Sequence, residues 1–150
     1  MDVERLVRGA AIAGAALFLL PGAWAFADPA SFYDAVALFP PYNRHLLHDV
    51  GAFQLGVGTA LLVGVAGWSG LRVALWSAAV AAVLHATSHI VDRGLGGRDS
   101  DPLVLTLVAA VLIAAAVASG REVRRRDASA PPRVGVRTHP AARAAREGDD

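Results

Sequence analysis

The chain has 150 residues, of which 55% are hydrophobic and only 18% are charged, and its mean hydropathy is +0.45. A soluble domain of this size needs more charge on its surface, so this composition excludes a soluble enzyme and a nucleic-acid module. The absence of cysteine excludes disulfides, thiol redox chemistry and thiolate metal sites. The composition therefore indicates a small integral membrane protein.

Four largely apolar stretches are each long enough to cross about 30 Å of hydrocarbon at 1.5 Å per residue. They predict an all-α fold, a membrane four-helix bundle within residues 1–120, with spans at about 9–27, 45–67, 73–91 and 103–119. In the first span, Pro21 and Gly22 interrupt the pattern near its end. A cleaved signal peptide is an alternative for this span, because it has an arginine-bearing start and ends in an A-x-A motif.

The connecting segments carry turn and interface residues. The segment before the second span is rich in proline and aromatic residues, which suit a membrane–water interface, and it predicts a short amphipathic piece at 30–38. A tight turn is expected at Trp68–Arg72, and a glycine-rich polar loop at 92–101. Asp101 is expected to cap the fourth span, with Pro102 as its first residue.

The basic residues predict the orientation. All 14 are arginine, and Arg5, Arg8, Arg72 and the Arg121–Arg126 cluster fall on one side of a four-span topology. The positive-inside rule makes that side cytoplasmic, so both termini are expected inside. Residues 121–150 form an Arg/Ala/Pro-rich tail without hydrophobic periodicity, which predicts disorder. No aromatic residues lie between its arginines, so we expect contact with the lipid bilayer and no nucleic-acid binding.

Polar side chains cluster where the second span begins and the third ends. These two spans are antiparallel and joined by a short turn, so the start of one must lie beside the end of the other. We expect this cluster near the outer face of the membrane. Its members are His45, His48 and Asp49 on the second span and His85, His89 and Asp92 on the third.

The sequence also predicts the direction in which these side chains point. Both histidine-bearing ridges contain small residues at i+4 spacing, and small residues mark close helix contacts in membranes. We therefore expect the imidazoles to point towards one another inside the bundle. The ridges are His48-Ala52-Gly56-Ala60-Gly64 and Ser77-Ala81-His85-His89.

Imidazoles with nearby carboxylates are typical ligands of Fe, Cu and Zn. The leading hypothesis is a transition-metal or heme site in redox or metal handling, with histidines of two helices as axial ligands in the heme case. Carboxylates would bind directly or orient an imidazole. The candidate ligands are His48, His85 and His89, then Asp49 and Asp92, with His45 at the periphery.

Other functions use the same residues. A proton- or ion-coupled carrier needs histidine and aspartate without a metal, with Gln54, Arg44 and Arg93 along the polar path. A chain this short would then need to form a homo-oligomer. An accessory or assembly subunit of a membrane complex would use the cluster to pair helices, and a purely structural cluster would pair arginine with aspartate at helix ends.

The stretch Arg44-His45-Leu46-Leu47-His48-Asp49-Val50-Gly51-Ala52-Phe53, the chain size and the four spans resemble the DoxX-like group of small bacterial membrane proteins. The resemblance covers about residues 5–120. It implies a four-helix membrane fold and membrane redox partners, as in a component of a membrane oxidoreductase. It assigns no catalytic residue, and the histidines of the third span are not part of it.

Overall fold

The computed structural model describes residues 2–129, apart from the side chains at 126 and 127. All regular secondary structure within these residues is helical, and four of the helices are long and apolar enough to cross a membrane. The prediction of four such spans is therefore confirmed in length and composition. The helices are α1 (Val3–Ala27), α2 (Pro29–Ala35), α3 (Arg44–Gly64), α4 (Trp68–Val91) and α5 (Asp101–Ser129).

Helix α1 begins earlier than predicted and is not interrupted. The backbone N–H of Glu4 donates to the Asp2 side chain at 3.2 Å, which caps the first turn. Pro21 lies inside the helix, which continues to Ala27. A proline in a membrane helix removes one backbone hydrogen bond, and neighbouring helices compensate for it, so the helix need not end there.

Two other boundaries also differ from the prediction. The turn between α3 and α4 is formed by residues 65–67, and Trp68–Arg72 is already the first part of α4. Helix α5 continues past Gly120 to Ser129, so the first nine residues of the predicted disordered tail are helical. Residues 121–129 contain neither proline nor glycine, so no local signal ends the helix there. The rest of the predicted tail, residues 130–150, lies outside the described residues.

Helix α2 is the short amphipathic segment expected near residues 30–38. Asp28 caps it by accepting from the Ser31 backbone N–H at 3.2 Å, and Trp24 of α1 packs edge-on against Phe32. The Ser31 hydrogen bonds hold the pKa of the Asp28 carboxyl below its ordinary value, and the charge of Arg44 acts in the same direction. Because the pKa is lowered, this cap stabilises α2 at neutral pH and is lost as the pH falls through the lowered pKa.

The four long helices pack as two close pairs. Helix α1 packs mainly on α3 and α4 mainly on α5, while the α3–α4 and α1–α5 contacts join the pairs. Neighbouring helices run antiparallel. The core between them is built almost entirely of alanine and leucine, with Leu61, Leu71, Leu75 and Leu112 its largest fully buried side chains.

Glycines permit the closest helix contact, between α1 and α3. A Cβ placed on Gly51 would lie 2.8 Å from the carbonyl oxygen of Gly22 and 2.9 Å from the backbone nitrogen of Phe26. A Cβ on Gly58 would lie 2.6 Å from the Leu19 side chain. At Gly51 the obstacles include backbone atoms, which cannot rotate away. The α3 surface that faces α1 is therefore the Leu47, Gly51 and Gly58 surface.

The assembly has two chemically different ends. The end with α2, the start of α3, the end of α4 and the start of α5 carries four histidines, and we call it the His-bearing end. The opposite end has the start of α1, the α3–α4 turn and the last part of α5, and we call it the Arg-rich end. There the Arg8 side chain pairs with Glu4 at 3.1 Å, donates to the Val65 carbonyl and lies over the Trp68 ring.

We predict that adding one methyl group at two glycines of α3 changes the free energy of unfolding differently. Gly51→Ala should lower the free energy of unfolding by about 1–3 kcal/mol, because the new Cβ meets α1 backbone. Gly56→Ala should be neutral or stabilising by up to about 1 kcal/mol, because nothing lies within 4 Å of that position. Denaturant unfolding in mixed micelles, followed by circular dichroism, measures both. Equal effects of the two substitutions would contradict the described α1–α3 contact.

Candidate functional site

The predicted polar cluster is divided between two places in the structure. At the start of α3, His45 and Asp49 form a surface pair, with Nε2 of the imidazole 3.5 Å from the carboxylate. Their side chains are 86% and 50% exposed, so the pair contributes little to stability and encloses no site. Arg44 begins the same helix and is exposed.

The predicted facing of His48 is wrong. Its imidazole packs against the Phe26 ring of α1, with ring centroids 5.2 Å apart. The next three small residues on its ridge, Ala52, Gly56 and Ala60, are exposed, and only Gly64 at the far end is buried. Helix α3 presents the neighbouring Leu47–Gly51–Gly58 surface to its partner, and that partner is mainly α1 rather than α4. The buried surface begins at Leu47, one residue before His48. One residue corresponds to about 100° of helix rotation, so the buried face of α3 is turned by this angle from the predicted one.

A second polar group forms at the end of α4. The rings of His85 and His89 are stacked, with centroids 4.9 Å apart and planes inclined by 16°. Nδ1 of His89 lies 3.7 Å from the Asp101 carboxylate, and these two side chains are only 17% and 21% exposed. We call His85, His89 and Asp101 the His–Asp unit. It joins two imidazoles of α4 to a carboxylate of α5 in one series.

Asp101 has a different role from the one predicted. It is the first residue of α5, and its carboxylate accepts from the Arg98 backbone N–H at 2.8 Å. The carboxylate therefore connects the loop at 92–100 with His89. The sequence contained one signal for this placement: α4 and α5 are antiparallel neighbours, so the start of α5 must lie level with the end of α4.

Two loops cover His89, whereas His85 is exposed, so the predicted inward facing is wrong for His85 as well. Phe39 packs edge-on against the His89 ring, with centroids 5.2 Å apart. The Gly97 backbone N–H donates to the Leu38 carbonyl at 3.0 Å, and the Arg98 guanidinium donates to the Ala35 carbonyl. The segment after α2 and the loop after α4 are thus held together above His89. Phe39 and Arg98 were not among the predicted site residues, and no motif marks them.

A small polar cavity of about 30 Å³ lies beside His89 under the second loop. This volume is enough for a water molecule. The cavity gives His89 polar neighbours from the loop after α4. Its lining residues are His89, Arg93, Gly96, Gly97, Arg98 and Asp99.

The remaining predicted residues lie elsewhere. Asp92 follows α4 as its C-cap, and its backbone N–H donates to the Ser88 carbonyl. Gln54 lies in the α1–α3 contact against Gly22 and does not line a path with the α4 histidines. Within residues 2–129, no group of three or more His, Cys, Asp or Glu side chains is arranged to hold a metal ion.

Comparisons with protein-family models, curated proteins and solved structures give no significant match. The resemblance to the DoxX-like group therefore stays a prediction, and the function has to be argued from the site itself.

We predict that Gly97→Ala displaces Phe39 from His89. Gly97 has a φ of +80°, and a Cβ there would lie 2.9 Å from the Phe39 ring. The His89 ring protons should shift in the NMR spectrum, because they lose the ring current of Phe39. Gly94→Ala is the matched control in the same loop, since nothing lies within 4 Å of its Cβ position. Unchanged His89 resonances in Gly97→Ala would show that Phe39 does not cover this imidazole.

Proposed function

We propose that the chain is a proton-coupled membrane carrier in which the His–Asp unit binds the proton. The observation that carries the proposal is the series of two stacked imidazoles ending at the Asp101 carboxylate. Imidazole is the side chain that ordinarily gains and loses a proton near neutral pH. Ionisable side chains within membrane helices, paired with one another, are typical of proton relays.

A carrier fits the surroundings of the unit better than a channel does. Between His85 and the Arg-rich end, the buried face of α4 consists of alanine and leucine, including Ala78, Ala82 and Leu75. A channel needs a continuous polar row, whereas a carrier needs a binding site that changes its exposure. The unit has the character of a binding site at one end of the helices. A path across the membrane would involve a second copy of the chain or the carried solute.

Protonation of His89 should tighten the loop above it. The nearest opposite charge is Asp101 at 3.7 Å, and Asp99 lines the same cavity. Arg93 and Arg98 at the cavity, together with a protonated His85, act in the opposite direction. Among the described side chains, Asp101 is the carboxylate that lies within ion-pair distance of His89, so protonation of His89 acts on that pair. Since Asp101 also holds the Arg98 backbone N–H, a stronger His89–Asp101 pair holds the loop at 92–100 more firmly.

The arginine distribution supports an orientation as part of this proposal. Arg5, Arg8, Arg72, Arg121 and Arg124 all belong to the Arg-rich end. The positive-inside rule assigns that end to the cytoplasm of a bacterium and the His–Asp unit to the outer face of its inner membrane. In that arrangement the four long helices form the bundle inferred from the sequence, and the unit receives protons from outside.

Hydrogen exchange of the loop tests the proposal directly. We expect the amides of residues 95–98 to be about three- to tenfold better protected at pH 5 than at pH 8, after correction for intrinsic exchange rates. His89→Gln should abolish this difference, because Gln carries no titratable proton. No pH difference in the unchanged protein would refute proton coupling at this site.

Two further variants separate the charge effect from a structural one. Asp101→Asn retains an acceptor for the Arg98 N–H, so the loop should stay protected at pH 8 and lose only the gain at pH 5. His45→Gln removes an exposed histidine of the same end and should leave the pH difference intact. Loss of the pH difference in His45→Gln would place the proton-binding group outside the His–Asp unit.

Metal binding is the second candidate, and one distance favours it. Two ligand atoms of a tetrahedral zinc ion are about 3.4 Å apart. Nδ1 of His89 and the Asp101 carboxylate are 3.7 Å apart, so an ion between them needs only a small adjustment. His85 would be the third ligand after its ring turns out of the stack. Heme is not favoured, because His48 and His85 pack against different neighbours instead of facing each other.

Elemental analysis separates the two candidates. If the proton proposal holds, protein purified without chelators should contain well under one Fe, Cu or Zn per chain, and metal content should not change in the His85→Ala/His89→Ala double variant. Near-stoichiometric metal that is lost in the double variant and in Asp101→Asn, but retained in His45→Gln, would replace the proton proposal with a metal site.

A further inference from the structure

A groove of about 800 Å³ lies at the Arg-rich end, between the first turns of α4 and the C-terminal part of α5. This volume falls within the range of about 300–1,000 Å³ that is usual for small-ligand sites. The groove lies at the end opposite the His–Asp unit, so a ligand there is independent of the proposed function. Its lining includes Trp68, Arg72, Val73, Trp76, Ser77 and Val123.

The floor of the groove is apolar and open. The side chains of Val73 and Trp76 are 67% and 42% exposed, and they lie on one face of α4. The Ser77 hydroxyl donates to the Val73 carbonyl at 3.0 Å, so its proton is already used within the helix. Tryptophan at the end of a membrane helix is typical of the level where acyl chains meet headgroups. The groove therefore offers a hydrocarbon surface at headgroup depth.

Arg72 supplies the charge at the rim. Its Nε lies 3.7 Å from the Cβ position of Gly120, so the missing side chain at Gly120 leaves room for the guanidinium beside α5. None of the ion pairs between described side chains includes Arg72. Arg8, in contrast, is paired with Glu4 at 3.1 Å. Arg72 is thus the groove cation that is available to an external anion.

The surrounding charge favours an anionic ligand. The described side chains of the Arg-rich end include more arginines than carboxylates. A second copy of the chain would bring another Arg-rich end to the same groove, which like-charge repulsion opposes. A small soluble anion would use Arg72 but leave the apolar floor uncovered. The arginines are Arg5, Arg8, Arg72, Arg121, Arg124 and Arg125, and the carboxylates are Asp2, Glu4 and Glu122.

We propose that this groove binds one anionic phospholipid of the adjacent leaflet. The phosphate would accept hydrogen bonds from the Arg72 guanidinium, whose planar donor set matches phosphate geometry. The acyl chains would cover Val73 and Trp76. The ligand is thus recognised by negative charge at the rim and by hydrocarbon on the floor.

Native mass spectrometry of the full chain in mild detergent tests the proposal. The probes are palmitoyl-oleoyl phosphatidylglycerol and the zwitterionic phosphatidylcholine with the same chains. We expect one phosphatidylglycerol to bind at least about fivefold more tightly than phosphatidylcholine, since one arginine near a membrane surface contributes roughly this factor. Arg72→Gln should remove the preference, because it weakens phosphatidylglycerol binding more than binding of the net-neutral phosphatidylcholine. Trp76→Leu should weaken both lipids.

Matched variants exclude general effects of charge and apolar surface. Arg5→Gln removes the same charge from the same end outside the groove and should change the preference by less than about twofold. Phe53→Leu shortens an aromatic side chain that is 77% exposed and should not change lipid binding. Equal losses in Arg5→Gln and Arg72→Gln, or equal affinity for both lipids, would overturn the proposal. A dimer that dissociates in Trp76→Leu, with no lipid preference, would assign the groove to a second copy.

Discussion

The close packing of α4 on α5 is the contact on which the His–Asp unit depends. Ala78 and Ala82 of α4 are buried in one cluster with Ala109, Leu112 and Ala116 of α5. Small side chains let the two helix axes approach closely, and the resulting van der Waals packing stabilises helix association in a membrane. Because the helices are antiparallel and the loop between them is short, the first carboxylate of α5 is brought to the last histidine of α4. The position of His89 beside Asp101 therefore depends on the packing of alanine side chains between α4 and α5.

The loops add a second layer to this arrangement. The glycines at 96 and 97 adopt positive φ values, which let the loop after α4 lie directly on the segment after α2. That contact places Phe39 over His89 and leaves the small polar cavity on the other side. A charged group that is partly shielded from solvent interacts more strongly with its partner than it would in water. Under the proposed function, protonation of one imidazole changes how firmly the whole loop is held.

Much of this architecture could be predicted from the sequence. Hydropathy identified the four long helices, and helix antiparallelism placed His45, His48, His85 and His89 at one end. The facing of α3 could not be predicted. The ridge of His48 and the neighbouring ridge of Gly51 both contain small residues, so composition alone does not say which one is buried. The geometry shows that Gly51 meets α1 backbone, whereas a Cβ at Gly56 would meet nothing within 4 Å.

Two other features depend on contacts between segments distant in sequence. The short turn predicts that the start of α3 lies beside the end of α4, but α3 packs mainly on α1. Phe39 reaches His89 from a loop about fifty residues earlier in the chain, and no local pattern encodes that contact. The position of Asp101 near His89 could have been predicted. Because α5 follows α4 through a short loop, the start of α5 must lie level with the end of α4.

The proposed function depends on the pairing of the His89 Nδ1 with the Asp101 carboxylate, which lie 3.7 Å apart. Nitrogen-15 NMR of the histidine side chains in lipid nanodiscs measures this most directly. The account predicts that neutral His89 carries its proton on Nδ1, and that Asp101→Asn shifts the His89 nitrogens while those of His45 and His48 stay unchanged. A His89 spectrum that shows the Nε2 tautomer, or that does not respond to Asp101→Asn, would contradict the account.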